Sequence, residues 1–250
     1  MKIQIASDLH LEFLSIERVK ELANRLSLNT LAHTLILAGD ICSWDSTKSL
    51  PNLYTFLDIL KDKYEDIIYV LGNHEYYGCS YSEVQTLKSK LEHKYNELSI
   101  LENESITVRG TTFYGTTLWF EETVEAQLLK YQLNDYQCIR EFEPDKWARE
   151  AISFIKLIPQ NDSRKVLITH HVPRSIYISE KYVDSEMNCF YLNEIGKYLP
   201  KFELAIFGHS HSSVNHIREH NYRSISNPRG YPRSSESENE DFNYQLVVEV

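Results

Sequence analysis

Lys2-Ile3-Gln4-Ile5-Ala6-Ser7-Asp8-Leu9-His10 places a short aliphatic run directly ahead of an aspartate and a histidine one residue apart. The same arrangement recurs along the chain. The run at 34–38 leads into Gly39-Asp40, that at 67–71 into Gly72-Asn73-His74-Glu75, that at 166–168 into Thr169-His170-His171, and that at 204–207 into Gly208-His209-Ser210-His211. Runs of this length, aliphatic or β-branched and bounded by polar and glycine residues, read as buried strands. Polar groups at the ends of neighbouring strands in an α/β sheet converge on one rim, where ligand sites form.

Between these strands the apolar positions repeat near 3.6 residues, as in Ile16, Val19, Leu22, Ala23 and Leu26, in Leu53, Phe56, Leu57, Leu60 and Tyr64, and in Val84, Leu87, Leu91 and Leu98. Ser80 and Glu83 form a capping box ahead of the third set, and Pro144 suits the first turn of a helix carrying Trp147, Ala148, Ala151, Ile152 and Ile155. A further short helix is expected to end near Leu199, before Pro200. Segments 106–108, 112–114, 222–226 and 245–250 follow one another without long helices, which predicts a second, mixed or antiparallel sheet.

The 250 residues, 42% of them hydrophobic, suffice for a full core, and a single domain over 1–250 is expected. Segments 119–143 and 173–190 interrupt the pattern and are candidate lids, while 234–241 is polar and acidic. Trp119, Tyr131, Tyr136, Tyr177 and Tyr182 fall in these lids, where packing is the expected use. The net charge of −10 disfavours extended nucleic acid and anionic membranes. Cys42, Cys79, Cys138 and Cys189 are widely spaced, and no apolar run near Met1 reaches the length of a signal peptide or membrane span. Cytoplasmic location is the expectation.

Together the five strand-end motifs supply two carboxylates, one amide and several imidazoles, a mixed N/O set suited to manganese, iron, zinc and related divalent ions. Asp8 and His10, and likewise His209 and His211, share a side if the backbone there is extended. By the same rule His171 points away from His170 and packs elsewhere. Gly39, Gly72 and Gly208 are read as residues that let the chain turn sharply beside the site.

In order and in composition, the five motifs resemble those of the calcineurin-like metallophosphoesterase superfamily, across residues 8–211. The resemblance implies an α/β fold, a four-layer αββα sandwich of two mixed β-sheets flanked by helices. It implies two divalent metal ions, manganese foremost, with iron, zinc, nickel or magnesium as alternatives. Asp8, His10 and His211 would hold one ion, Asn73, His170 and His209 the other, with Asp40 between them and His74 as a catalytic histidine outside the ligand set. The expected reaction is hydrolysis of a phosphate monoester or diester by attack of a metal-bridging hydroxide. Such a site carries a small positive charge inside an acidic shell, which favours a small phosphorylated substrate. A nuclease of the same superfamily and a non-catalytic binding scaffold are the alternatives. Arg174, Arg229 and Arg233 are weighed as phosphate clamps, and Arg229, in the turn Asn227-Pro228-Arg229-Gly230-Tyr231, is the one retained.

Overall fold

In the first strand Ile3 and Ile5 face one way and Gln4 and Ala6 the other, and both faces are buried. The computed structural model describes residues 1–28, 30–45, 49–161, 164–217, 222–232 and 237–250; His220, Arg233 and residues 234–236 lie outside these. Among the described residues the strands are β1 (Lys2–Ala6), β2 (Thr34–Ala38), β3 (Asp66–Val70), β4 (Leu98–Leu101), β5 (Glu104–Val108), β6 (Thr111–Thr116), β7 (Arg164–Thr169), β8 (Leu204–Phe207), β9 (Val214–Ile217), β10 (Arg223–Ser226) and β11 (Val247–Glu249). The helices are α1 (Ile16–Ser27), α2 (Leu50–Leu60), α3 (Tyr81–Lys94), α4 (Val124–Leu129), α5 (Asp135–Cys138), α6 (Pro144–Leu157) and α7 (Asn188–Tyr191).

One sheet runs β11-β1-β2-β3-β4, with only β11 antiparallel to its neighbour. The other runs β5-β6-β7-β8-β10-β9, with β5 and β9 antiparallel at its edges. Ile5, Ile36, Ile68 and Val70 meet Phe113, Val166, Ile168 and Ile206 between the sheets. On the outer face of the first sheet Leu35, Leu37 and Tyr69 pack under Val19, Leu22, Phe56 and Val84 of the first three helices. On the outer face of the second, Leu167 and Phe207 pack under Ala151 and Ile155 of α6. The result is the expected four layers, two mixed sheets inside and helices outside.

The capping box is present: the Ser80 hydroxyl accepts the Glu83 backbone N–H at 3.5 Å, and the Ser80 N–H donates to the Glu83 carboxylate at 2.7 Å. Pro144 begins α6. Leu98 differs from expectation, because α3 ends at Lys94, Tyr95 is extended, and Leu98 belongs to β4. There the period shifts from 3.6 to 2, with Leu98 and Ile100 facing the helices and Leu101 facing the second sheet. Pro200 also differs, since it lies inside the tight turn Leu199–Lys201, at a first-turn position where no N–H is required. The half-exposed edge strand β9 has too weak an apolar pattern to be found in the sequence.

The two sheets pack tightly against each other at Gly115. A Cβ there would lie 2.4 Å from Leu101 Cβ and 2.7 Å from Val70 Cγ2. Gly115→Ala is expected to lower unfolding free energy by about 1–3 kcal/mol in a urea titration. An unchanged midpoint would contradict this packing.

Candidate metal centre and adjoining cavity

The carboxyl ends of β1, β2 and β3 in one sheet and of β7 and β8 in the other deliver all five polar motifs to one end of the sandwich. The structure brings Asp8, His10 and His211 together as one donor cluster and Asp40, His170 and His209 as a second. His74 joins His10 and Asp40 in a third, overlapping set.

The backbone at these positions is not extended, which corrects the sequence reading. Asp8 (φ 51), His10 (φ 49), Asp40 (φ 53), His209 (φ 69) and His211 (φ 49) all take left-handed conformations. Such conformations cost roughly 1–3 kcal/mol each and are kept where the surroundings impose them. The chain therefore doubles back at each donor, and that reversal, rather than strand alternation, aims alternate side chains inward.

Gly39 takes the left-handed turn expected of it, while Gly72 and Gly208 have a different use. Only Gly39 among the three motif glycines has a positive φ. A Cβ at Gly72 would lie 2.2 Å from Asp40 Oδ1, one at Gly208 2.5 Å from Asp8 Oδ2, and one at Gly39 2.2 Å from His170 Nδ1. They make room for donor side chains.

The groups behind the imidazoles fix which nitrogen faces inward. His170 Nδ1 donates to the Ala38 carbonyl at 3.1 Å, so its Nε2 lone pair points at Asn73 Oδ1 (3.1 Å), Asp40 Oδ1 (3.4 Å) and His209 Nδ1 (3.0 Å). His211 Nδ1 donates to Glu238 at 2.7 Å and His10 Nδ1 to Glu12 at 3.3 Å, which leaves their Nε2 atoms facing each other at 3.1 Å. His211 Nε2 is also 3.4 Å from Asp8 Oδ1. Lone pairs aimed at one another across such gaps repel unless a cation or proton lies between them. Ligand bonds of about 2.1 Å give polyhedron edges of roughly 3.0–3.4 Å, so these residues fit divalent ions well.

Protons compete for the same places. Against the opposing effect of burial, Asp40 raises His170 to about 9, while Asp8 and Glu238 raise His211 to about 10.

Asn73 is oriented from behind as well. Its amide nitrogen donates to Asp135 Oδ1 at 2.9 Å, which turns Oδ1 toward His170; Tyr77 donates to the same carboxylate oxygen at 2.7 Å. His74 is stacked on Tyr77, with ring centroids 4.4 Å apart, and is tied through Nδ1 to Glu12 at 2.8 Å. Its Nε2 is 3.3 Å from the Tyr231 hydroxyl and 3.9 Å from Asp40 Oδ2. Burial opposes protonation of His74, but Asp40 and Glu12 outweigh it and raise the imidazole to about 9. Burial likewise opposes ionisation of Glu12, and its bonds to His10 and His74 pull it down to about 2.

Glu75 accepts from the backbone N–H groups of Asp40 (3.0 Å), Ile41 (2.8 Å), Cys42 (3.2 Å) and Gly72 (2.6 Å) and from the Tyr69 hydroxyl (2.5 Å). Its carboxylate therefore binds the loops that carry Asp40 and Asn73 to each other.

Glu12, Asp135, Tyr77, Tyr231 and Glu238 were not found from the sequence. Glu12 and Tyr77 had a local signal, two residues beyond His10 and three beyond His74, and Tyr231 ends the turn that carries Arg229; Asp135 and Glu238 reach the site from distant segments. Arg229 is not brought to the cavity that adjoins the cluster: it is buried, and its guanidinium donates to the Leu9 carbonyl at 3.4 Å, so it supports the loop between Asp8 and His10 from behind. Arg174 faces Glu194 and Tyr222. His171 donates to the Thr117 carbonyl at 3.1 Å, and burial beside His170 lowers it to about 3.

The adjoining cavity, about 380 Å³, is bordered by Asp40, Asn73, His74, His209 and His211 and by residues of segments 132–135 and 178–191. Within 119–143, Trp119 packs inward against Tyr76, Phe142 and Trp147, whereas Val124, Leu128 and Tyr131 are exposed, so Tyr131 does not have the packing role expected of it.

Residues 1–213 match the family described as calcineurin-like phosphoesterase. The uncharacterized protein L509 of Acanthamoeba polyphaga mimivirus is 28% identical, with 86% of each chain covered. Among solved structures, a phosphopantetheinyl hydrolase of Mycobacterium tuberculosis superposes with a TM-score of 0.69 at 16% identity, covering 92% of this chain and 90% of that one. A dimetal phosphatase of Danio rerio gives 0.56 at 13% identity, with 90% and 86% covered. At these identities the structural likeness concerns the fold.

Glu75→Gln would set an amide N–H₂ against backbone donors and loosen the Asp40 loop. Manganese titration of chelated protein is expected to show affinity reduced by about 10–100-fold. Unchanged affinity would contradict the role given to Glu75.

Proposed function

The chain belongs to the calcineurin-like phosphoesterase family, and on that premise we propose that it is a two-metal hydrolase of small phosphate monoesters or diesters. Asp8, His10 and His211 would hold one ion and Asn73, His170 and His209 the other, with the Asp40 carboxylate in reach of donors of both sets. Manganese is the ion we assign, although a mixed N/O set also accepts iron, zinc, nickel or magnesium. When bound, the pair supplies Lewis acidity toward the phosphoryl oxygens and an acidified water as nucleophile. The observation that carries the reading is the set of inward lone pairs, anchored from behind by Glu12, Glu238, Asp135 and the Ala38 carbonyl.

In this reading His74 donates a proton to the leaving oxygen. Glu12 holds its Nδ1–H, which leaves Nε2 directed past Tyr231 at the cavity. The Glu12 carboxylate on Nδ1 favours the protonated ring. Proton donation of this kind contributes about 10²- to 10⁴-fold. Asp135 and Glu75 hold the Asn73 and Asp40 loops so that the donor geometry needs little reorganisation.

A small substrate suits an acidic chain, and a nuclease reading finds no lysine or arginine among the described residues lining the cavity. A binding scaffold would have no need of the His74–Glu12 pair. No helix of the described residues is long and apolar enough to cross a membrane, and the four cysteines are free thiols, in keeping with the cytoplasmic setting we assign.

Hydrolysis of p-nitrophenyl phosphate and bis-p-nitrophenyl phosphate, with manganese and after chelation, tests the proposal. Activity that requires metal, disappears in Asp40→Asn and falls about 10²-fold or more in His74→Asn with metal content retained is the expected outcome. Activity indifferent to chelation, or an unaffected His74→Asn enzyme, would refute it.

A further inference from the structure

The cavity is larger than a phosphoryl group needs, and its far half has a definite chemistry. His74, the proton donor assigned above, borders the cavity, so a leaving group that it protonates would sit in the same space. Leu133, Ile178 and Met187 give that space apolar walls, and Asn134, Asn188 and Ser179 give it amide and hydroxyl groups. Asn188 commits its amide N–H₂ to the carbonyls of Tyr182 (2.7 Å) and Val183 (3.3 Å), which leaves its Oδ1 as an acceptor.

Apart from the imidazoles of His74 and His211 in the donor cluster, the charged side chains that line the cavity are carboxylates. Asp135 and Glu238 both border the cavity, the first held by Asn73 and Tyr77, the second by His211. No lysine or arginine among the described residues lines it. Asp135 and Glu238 thus sit at the donor-cluster end, and a charged substituent on the leaving group would enter a partly desolvated space beyond them where no charged side chain among the described residues is available to pair with it. An uncharged group would pair its amides or hydroxyls with the asparagines and serine and bury its carbon skeleton on the apolar wall.

We propose that segments 132–135 and 178–191 form a leaving-group chamber selective for uncharged alcohols or phenols that combine apolar surface with an amide or hydroxyl, and that it discriminates against leaving groups bearing further phosphate or carboxylate. The proposal rests on the hydrolase reading above and adds the substrate class to it. Nucleoside polyphosphates and sugar bisphosphates fall outside that class; phosphate esters of amide-bearing or hydroxylated chains fall inside it.

The test compares 4-acetamidophenyl and 4-carboxyphenyl phosphates, whose phenols are leaving groups of comparable acidity, as monoesters and as methyl diesters. The series hydrolysed faster is used, and phenol release is followed with manganese-loaded enzyme. A 4-trimethylammoniophenyl ester completes the set. The acetamido ester is expected to exceed the carboxylate ester at least about tenfold in kcat/KM, mainly through KM, and to exceed the ammonium ester as well. Ser179→Lys is expected to narrow the first gap by improving the carboxylate ester alone. A carboxylate ester turned over as well as the acetamido ester, or an ammonium ester preferred to both, overturns the chamber's assignment while leaving the hydrolase reading intact. No release from any ester by enzyme carrying two metal ions overturns the hydrolase reading, and the chamber proposal with it.

Discussion

The buried carboxylate of Glu75 gathers four backbone N–H groups and a tyrosine hydroxyl from the loops after β2 and β3. Removing a carboxylate from water is costly, and only a full set of donors offsets that cost. Burial and the nearby Asp40 charge push this carboxyl up to about 7, while the donors around it favour the ionised form. The left-handed turn at Asp40 and the close passage of Gly72 beside its side chain both depend on this junction. Asp8 does the corresponding work across the sheets, accepting the His209 backbone N–H at 2.9 Å and so linking β1 of one sheet to β8 of the other. The donor cluster is thus held by bonds that do not themselves require a bound ion.

This arrangement explains why an acidic protein can serve a phosphate ester. Nearly every inward donor has a second group behind it, so the field at the centre is set by fixed partners and the ions they hold. The surrounding carboxylates, Glu12, Asp135 and Glu238, are each engaged with a histidine, an asparagine or a tyrosine. They orient the site while adding to the negative shell that repels long polyanions.

Much of the architecture was legible because strand ends and donors coincide in the sequence: each short aliphatic run is followed at once by Asp8, Asp40, Asn73, His170 or His209. The helices were legible from their period and from Ser80, Glu83 and Pro144. What escaped has physical causes. Leu98 satisfies a helical spacing by coincidence, and only the extended Tyr95 ends the helix. The left-handed backbone at Asp8 and His10 leaves no compositional trace, because these residues are there as donors and the surrounding bonds hold the conformation. Asp135 and Glu238 reach the site from remote segments, so no local pattern announces them. Arg229 looked like a phosphate clamp from its turn, but its burial behind Leu9 is a tertiary fact.

The most direct measurement is anomalous diffraction from crystals soaked in manganese. The account predicts two peaks roughly 3.5–4 Å apart, a separation suited to one phosphoryl group. One peak would be bounded by Asp8, His10 and His211 and the other by Asn73, His170 and His209, with Asp40 touching both. A single peak, or ions bound elsewhere while this cluster stays empty, would contradict it.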